Sequence, residues 1–174
     1  MLCGERIDLR PIAESDLGQL EAWKADPNYN GEFNSFGLQP AGNVRRAFAQ
    51  HAYLNDDHGR LLILNKTNEA VGDIGYRVVK HGRGLANRAY EIGITIAPEH
   101  RGQGYGTEAQ SLFAAYLFAT YPIARVQATT DIANVAEQRA LERAGFTREG
   151  ILRQAQFRSG SWHDMVMYSK VCGE

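Results

Sequence analysis

The chain has 174 residues, 44% hydrophobic and 22% charged, and its 19 basic and 20 acidic side chains give a formal net charge of −1. This length suits a single globular domain over residues 1–174, and the balanced charge disfavours a nucleic-acid-binding protein, which usually has a basic excess. No run of 18 apolar residues is present and the first residues lack a signal-peptide pattern, so we expect no membrane partner and a cytoplasmic location.

The cysteines and histidines do not indicate a metal site. Cys3 and Cys172 lie near opposite ends of the chain, and no CxxC or HxxxH spacing accompanies them. The five histidines are scattered. We therefore expect two free thiols and no bound metal.

The first third of the chain predicts one strand, two helices and a long irregular segment. Alternating apolar residues indicate a strand over residues 6–11, and apolar residues near helical spacing indicate a helix within 14–25. Residues 26–40 are rich in Pro, Asn and Gly and should be irregular. A short helix over 44–52 follows, with Asn43 placed to cap it.

The middle of the chain predicts antiparallel strands. Residues 59–66 and 70–79 are separated by a short polar turn and indicate a hairpin. A further strand over 88–97 alternates strictly. One face of it carries Tyr90, Ile92, Ile94 and Ile96, and the other carries Glu91, Gly93 and Thr95.

The last third predicts two helices, a strand and a closing hairpin. Apolar residues at helical spacing indicate a helix over 107–120, and a short strand over 125–130 follows. A second helix has Asn134 as cap, Glu137 at the third helical position of a capping box, and Gly145 just past its end. Residues 147–158 and 162–171 indicate the hairpin.

The order of elements predicts the fold class. It is β, α, α, β, β, β, α, β, α, β, β, in which hairpins surround one strand–helix–strand unit. We therefore expect an α/β (α+β) fold with a mixed, mostly antiparallel central sheet flanked by helices, not a doubly wound parallel sheet.

Three alternating glycines, Gly102, Gly104 and Gly106, follow Arg101 at the strand-to-helix corner. The first turn of a helix offers unpaired N–H groups to an anion, and glycine allows a phosphate to approach the backbone. The spacing fits neither GxxxxGK[ST] nor GxGxxG. The corner therefore predicts a pyrophosphate site of another kind, with a plain turn as the alternative.

The stretch "EIGITIAPEHRGQGYGTEA" resembles motif A of the GNAT acyltransferases, the Gcn5-related N-acetyltransferases. The helix "NVAEQRALERAGF", the tail "DMVMYS" and the start "RIDLRPIAESDLGQLEAW" resemble the RimJ/RimL-like branch of that family. The resemblance implies the GNAT fold and acetyl-CoA as co-substrate. The residues implied to hold it are Ile94, Thr95, Ile96, Arg101, Gly102, Gln103, Gly104, Tyr105, Gly106, Thr107 and Asn134.

The resemblance also implies roles in catalysis. Glu91, on the motif A strand, is the candidate general base that takes the amine proton, with a purely structural strand charge as the alternative. Backbone N–H groups near Ile94 and Ile96 would stabilise negative charge on the thioester oxygen. Asn134 is a candidate catalytic contact. Where relatives carry a tyrosine or a serine as proton donor to sulfur, this chain has Leu141 and Glu137.

The implied reaction is direct attack of a primary amine on acetyl-CoA through a tetrahedral intermediate. The acceptor is expected to be a protein N-terminal amine, with a small amine (an antibiotic or polyamine) or a non-catalytic acyl-CoA-binding module as alternatives. A homodimer is also implied by the resemblance. The candidate acceptor residues are Phe33, Asn34, Phe36, Trp162 and His163.

Overall fold

A single eight-stranded sheet forms the centre of the molecule in the computed structural model, which describes residues 1–174 except for the side chain of Leu85. The strands are β1 (Leu2–Cys3), β2 (Ile7–Pro11), β3 (His58–Asn65), β4 (Ala70–Lys80), β5 (Arg88–Ile96), β6 (Arg125–Asp131), β7 (Thr147–Arg158) and β8 (Ser161–Val171). The helices are α1 (Leu17–Ala25), α2 (Pro27–Asn30), α3 (Asn43–His51), α4 (Tyr105–Thr120) and α5 (Val135–Arg143). Short 3-10 turns occupy Glu14–Asp16, Leu85–Asn87 and Pro98–His100.

The sheet order confirms the predicted class. The strands are arranged β1-β2-β3-β4-β5-β6-β8-β7. Over the described residues β5 and β6 run parallel, while the other neighbouring pairs run antiparallel. The parallel pair is the strand–helix–strand unit that the sequence predicts, since α4 connects its two strands.

Both faces of the sheet are covered, as the apolar run of β3 shows. Leu61 and Ile63 pack with α4 and α5, whereas Leu62 and Leu64 pack with α1, α2 and α3. A strand that alternates between two cores is apolar throughout. The α4/α5 core includes Phe113, Leu117, Val126, Leu141 and Tyr168, and the α1–α3 core includes Leu20, Trp23, Tyr29 and Val44.

The parallel strands part soon after they meet. Their pairing consists of Tyr90 with Val126 and Glu91 with Gln127. β5 continues to Ile96 paired to β4 alone, while β6 continues to Asp131 paired to β8. Because β5 and β6 are parallel, their carboxyl ends lie at the same edge of the sheet. α4 follows one and α5 the other, so both helices begin beside this opening.

The structure corrects two local predictions and adds one strand, β1, that the sequence does not predict. Residues 26–40 include a helical turn, α2, because the Asp26 carboxylate accepts the Asn28 N–H and Pro27 occupies the first helical position. The predicted Asn43 cap is wrong. Gly42, at φ +69°, precedes α3, and Asn43 is the first helical residue without a capping bond. β1 is a two-residue strand, too short to show an alternating pattern.

Candidate functional site

The glycine corner has a backbone geometry that suits an anion. Gly102 and Gly104 have φ angles of +77° and +82°, which favour glycine. Gly104 is the residue before α4. The N–H groups of residues 102–107 donate no hydrogen bond to any described residue. A Cβ on Gly106 would lie 3.8 Å from Ile96 Cγ1. Unpaired N–H groups at the start of a 16-residue helix attract a phosphate.

The Arg101 guanidinium binds backbone carbonyl oxygens, whereas the sequence predicts that it faces a phosphate. Its Nε donates to the Ile96 carbonyl oxygen at 2.9 Å, and its Nη2 donates to the carbonyl oxygens of Asn28 and Tyr29 at 3.0 Å each. These bonds tie α2 to the end of β5. The guanidinium therefore positions the corner, and a direct contact between Arg101 and the co-substrate stays a prediction.

Arg6 supplies a cation at the corner instead. Its Nη1 donates to the Gln103 carbonyl oxygen at 3.2 Å and would lie 2.8 Å from a Cβ on Gly104. Its backbone N–H is held by the Glu108 carboxylate at 3.0 Å. Nothing in the local sequence indicates Arg6, because it comes about a hundred residues before the corner and reaches it only through the packing of β2 beside α4.

The opening between β5 and β6 exposes backbone donors of β5. The Ala97 N–H donates to Val71 on β4. Because N–H groups alternate along a strand, those of Ile94 and Ile96 point away from β4, toward the opening. The structure therefore brings these N–H groups and the glycine corner to the same edge. Thr95, between Ile94 and Ile96 in the chain, pairs with Asp73 of β4, and its side chain lies on the opposite face of the sheet from those of the two isoleucines.

Glu91 lies at the last paired position before the opening. Its carboxylate accepts a hydrogen bond from Arg77 Nη2 at 3.0 Å and one from Thr129 Oγ1 at 3.0 Å. The Glu91 side chain is 14% exposed, whereas that of Arg77 is 71% exposed. A base must be reachable by the amine it deprotonates, and an exposed arginine can move aside. This arrangement fits a general base as well as a structural strand charge.

Two predicted acceptor residues, Phe33 and His163, come together around a buried ion pair. Arg158 Nη2 donates to Asp131 Oδ2 at 2.6 Å, and these two side chains are 4% and 2% exposed. Arg158 Nη1 also donates to the Phe33 carbonyl oxygen at 3.3 Å, and its guanidinium lies 5.6 Å from the centroid of the Phe33 ring. His163 Nδ1 lies 3.3 Å from the same Asp131 oxygen.

Asp131 is held as an anion in this cluster. Burial raises the pKa of its carboxyl, but hydrogen bonds from Arg158 and from the Ala133 N–H, together with the Arg158 charge, lower the pKa below its ordinary value. Nothing in the sequence pattern pairs Asp131 with Arg158, because they lie at the end of β6 and the end of β7.

The side chains of the other three predicted acceptor residues make no hydrogen bond or ion pair with this cluster among the described residues, although Trp162 directly precedes His163 on β8. Trp162 is exposed and packs edge-on against Phe157, with ring centroids 5.4 Å apart. Asn34 and Phe36 line a cavity of about 980 Å³ between α1, α3 and the segment 34–43. The early loop therefore contributes Phe33 to one site and the next residues to another.

A second buried charge cluster, centred on Asp73, anchors the segment to which the glycine corner is hydrogen-bonded. The Asp73 carboxylate, on β4, accepts hydrogen bonds from Arg60 and, at 2.7 Å, from the Tyr29 hydroxyl, and Lys24 Nζ lies 3.7 Å away. Burial and the Asp73 charge raise the pKa of Tyr29, which keeps its hydroxyl a donor. Since Arg101 binds the Tyr29 carbonyl oxygen, the cluster anchors the turn to which the corner is tied.

The start of α5 departs from the predicted capping box. The Asn134 side-chain oxygen accepts the Glu137 N–H at 3.2 Å, which confirms the cap, but the Asn134 N–H donates to the Asp131 carbonyl oxygen. The Glu137 carboxyl faces Gln110 on α4, and burial raises its pKa to about 7. A contact of Asn134 with acetyl-CoA stays a prediction.

Membrane-crossing and metal-binding features were both disfavoured by the sequence pattern. Among the described residues, no helix combines the length and apolarity that a membrane crossing needs. Nor do three or more His, Cys, Asp or Glu side chains of the described residues group as they would around a metal ion.

Comparisons with known proteins agree with this geometry. Residues 6–147 match the family described as "Acetyltransferase (GNAT) domain". The chain is 30% identical to "Uncharacterized N-acetyltransferase YoaA" of Bacillus subtilis (strain 168), covering 96% of this chain and 94% of that one. It is 23% identical to "Ribosomal-protein-serine acetyltransferase" of Escherichia coli (strain K12), covering 96% and 93%. The solved structure of spermidine N-acetyltransferase from Vibrio cholerae, in complex with CoA and spermine, has a TM-score of 0.82 at 18% identity, covering 95% of each chain.

Proposed function

Because the chain belongs to the GNAT acetyltransferase family and is an acetyl-CoA-dependent N-acetyltransferase, we propose that its acceptor is a protein N-terminal amine. The transfer itself is supported by one edge of the sheet, where three features meet. They are the glycine corner, the N–H groups of Ile94 and Ile96, and Glu91. A pyrophosphate, a thioester oxygen and an amine proton are the three groups that these features are suited to bind.

The residues at this edge divide the chemical work. The N–H groups of residues 102–107 would bind the pyrophosphate of acetyl-CoA, whose thioester supplies the activated acetyl group. The N–H groups of Ile94 and Ile96 would stabilise the negative charge that develops on the carbonyl oxygen. Glu91 would take a proton from the amine, directly or through a water molecule, because a protonated amine cannot attack.

The charge balance at the acceptor side favours a peptide N-terminus over a polycation. A polyamine with several positive charges is best bound by several unpaired carboxylates. Here Glu91 is paired with Arg77 and Asp131 with Arg158. The aromatic rings of Phe33, Phe157 and Trp162 offer apolar surface to the residues that follow an N-terminal amine. The name of the Escherichia coli relative supports this acceptor, whereas the spermine in the Vibrio cholerae complex supports the alternative of a small polyamine.

An acetyl-CoA consumption assay tests the acceptor. The purified protein is given short peptides with free N-termini, the same peptides with blocked N-termini, spermidine and an aminoglycoside. We expect turnover with free N-termini and none with blocked ones. Turnover with spermidine alone would refute the peptide acceptor. Tight binding of acetyl-CoA without turnover of any amine would favour a non-catalytic acyl-CoA-binding module. Two further statements stay predictions: residues 1–174 form one domain, and the protein acts as a homodimer.

A further inference from the structure

The cavity between α1, α3 and the segment 34–43 is large enough for a small organic molecule. Its volume is about 980 Å³, which falls within the usual size range of ligand pockets. Among the described residues, its wall includes none of the glycine corner (101–107), none of residues 94–96, and neither Glu91 nor the ion pair of Asp131 and Arg158. The cavity is therefore a space separate from the edge proposed for acetyl transfer.

Two cationic side chains at the wall of this cavity share one buried carboxylate. Lys24 and Arg60 line the cavity with side chains that are 30% and 33% exposed, whereas the shared Asp73 is 1% exposed and is not part of the wall. The other charged residue among the described lining residues, Glu21, is already paired with Arg45 at 3.2 Å. The wall therefore presents one positive charge more than the described carboxylates balance.

The two cations are held in surroundings that disfavour a second positive charge. Burial lowers the pKa of the Lys24 ammonium, the Asp73 charge raises it in part, and the Arg60 charge lowers it again. Because the cavity partly excludes water, opposite charges attract more strongly there than at an open surface. An anion at this wall would therefore stabilise both cations.

The rest of the wall is largely apolar. Leu20 and Val44 line the cavity from α1 and α3, and Phe36 and Leu38 line it from the segment between the helices. Phe36 is 54% exposed and Leu38 is fully exposed, so a ligand with an apolar body would remove apolar surface from water. The wall thus suits a molecule that is apolar at one end and anionic at the other.

We propose that this cavity binds a small carboxylic acid with an apolar body, the carboxylate lying between Lys24 and Arg60 and the body against Val44, Phe36 and Leu38. The Arg60 guanidinium has further N–H groups beyond the one it donates to Asp73, and its forked shape suits a carboxylate. A cationic amine would meet like charges at the same wall. This ligand is therefore a different compound from the acceptor amine, and its site is independent of acetyl transfer.

The test uses three probes of one shape and different charge in calorimetry with the full chain at pH 7. They are naphthylacetate, naphthylacetamide and naphthylethylamine. We expect naphthylacetate to bind about 10-fold more tightly than the amide, because a hydrogen bond to a charged group is worth more than a neutral one, and the amine to bind most weakly.

A matched pair of variants assigns the charge effect to the cavity. Lys24→Met keeps an apolar stem and leaves Arg60 to pair with Asp73, so the fold should be retained. Lys66→Met removes a lysine that also pairs with one aspartate, Asp8, but lies outside the cavity wall. We expect Lys24→Met to weaken naphthylacetate about 10-fold and to leave the amide within about twofold, and Lys66→Met to match the wild type for both.

A third variant tests the space itself. Ala47 lines the cavity from α3, and Ala47→Phe should fill part of it and abolish binding of both naphthylacetate and the amide. Circular dichroism and thermal unfolding check that the variant is folded. Saturating coenzyme A should leave the Kd of naphthylacetate within about twofold, since the cavity shares no described lining residue with the glycine corner.

Four results would overturn the inference. They are no binding of naphthylacetate at millimolar concentration, equal affinity for the carboxylate and the amide, unchanged binding by folded Ala47→Phe, and displacement of naphthylacetate by coenzyme A. Failure of the proposed function gives a different result, which is no consumption of acetyl-CoA with any amine. The two failures are distinguishable because none of the binding measurements depends on turnover.

Discussion

Asp73→Asn should destabilise the protein more than almost any other single charge change. The Asp73 side chain is 1% exposed. Its carboxylate forms ion pairs with Arg60 and Lys24 and accepts a hydrogen bond from the Tyr29 hydroxyl. Replacing the carboxylate with an amide leaves two cations close together around a neutral group. It also weakens the anchor of Tyr29, whose carbonyl oxygen holds Arg101 at the glycine corner.

The magnitude follows from the burial of the three charged groups. Removing one partner from a buried ion pair costs about 3–5 kcal/mol. The side chains of Lys24 and Arg60 are 30% and 33% exposed, so water partly solvates the cations that Asp73 leaves behind. We therefore expect the lower end, about 3 kcal/mol, which for a chain of this length corresponds to a fall in Tm of about 6–12 °C.

The assay is urea unfolding at pH 7, with Asp57→Asn as the control. Asp57 is 72% exposed and lies 3.7 Å from Arg88, so its replacement should change the free energy of unfolding by about 0.5 kcal/mol or less. A loss below about 1 kcal/mol for Asp73→Asn would refute the reasoning, since Arg60 and Lys24 would then not depend on the carboxylate for their charge to be tolerated.

The pH dependence provides an independent check on Asp73. Burial raises the pKa of its carboxyl, but the charges of Arg60 and Lys24 lower it below its ordinary value of 3.8. Its contribution to stability is therefore present above pH 3.8 and is lost as the pH falls through the folded-state pKa. The difference between wild type and Asp73→Asn should narrow in acid.

Three further predictions concern the site. Glu137→Gln should be as stable as wild type near pH 4.5 but up to about 3 kcal/mol more stable above pH 7, because the folded state releases the Glu137 proton only near pH 7 instead of 4.5. The prediction would be contradicted if the free energies of unfolding of the variant and the wild type differed by the same amount at every pH in this range. Gly104→Val should abolish acetyl-CoA binding in calorimetry and cost about 1–2 kcal/mol, because φ is +82° and its Cβ would meet Arg6. Retained binding would make the corner a plain turn. Glu91→Gln should lower kcat without changing the Kd for acetyl-CoA, and unchanged turnover would leave Glu91 a structural charge.

Local patterns were sufficient where a function depends on neighbouring residues. The glycine corner, the alternation along β5 and the Asn134 cap involve residues within a few positions of one another, and all three are found as predicted. The same locality misled at Glu137. Its spacing from Asn134 predicts a capping box, but the Asn134 N–H is satisfied by Asp131, and the carboxyl is free to face α4.

The sequence by itself determined the fold class and the position of the glycine corner, because hydrophobic period, turn residues and a helix start act over short stretches of chain. Only the tertiary structure decided which charges meet. Arg6 reaches the corner and Arg158 reaches Asp131 across separations that no local pattern records. The acceptor side depends on such contacts, since burial and partners decide whether a carboxylate stays ionised, becomes paired or keeps its proton.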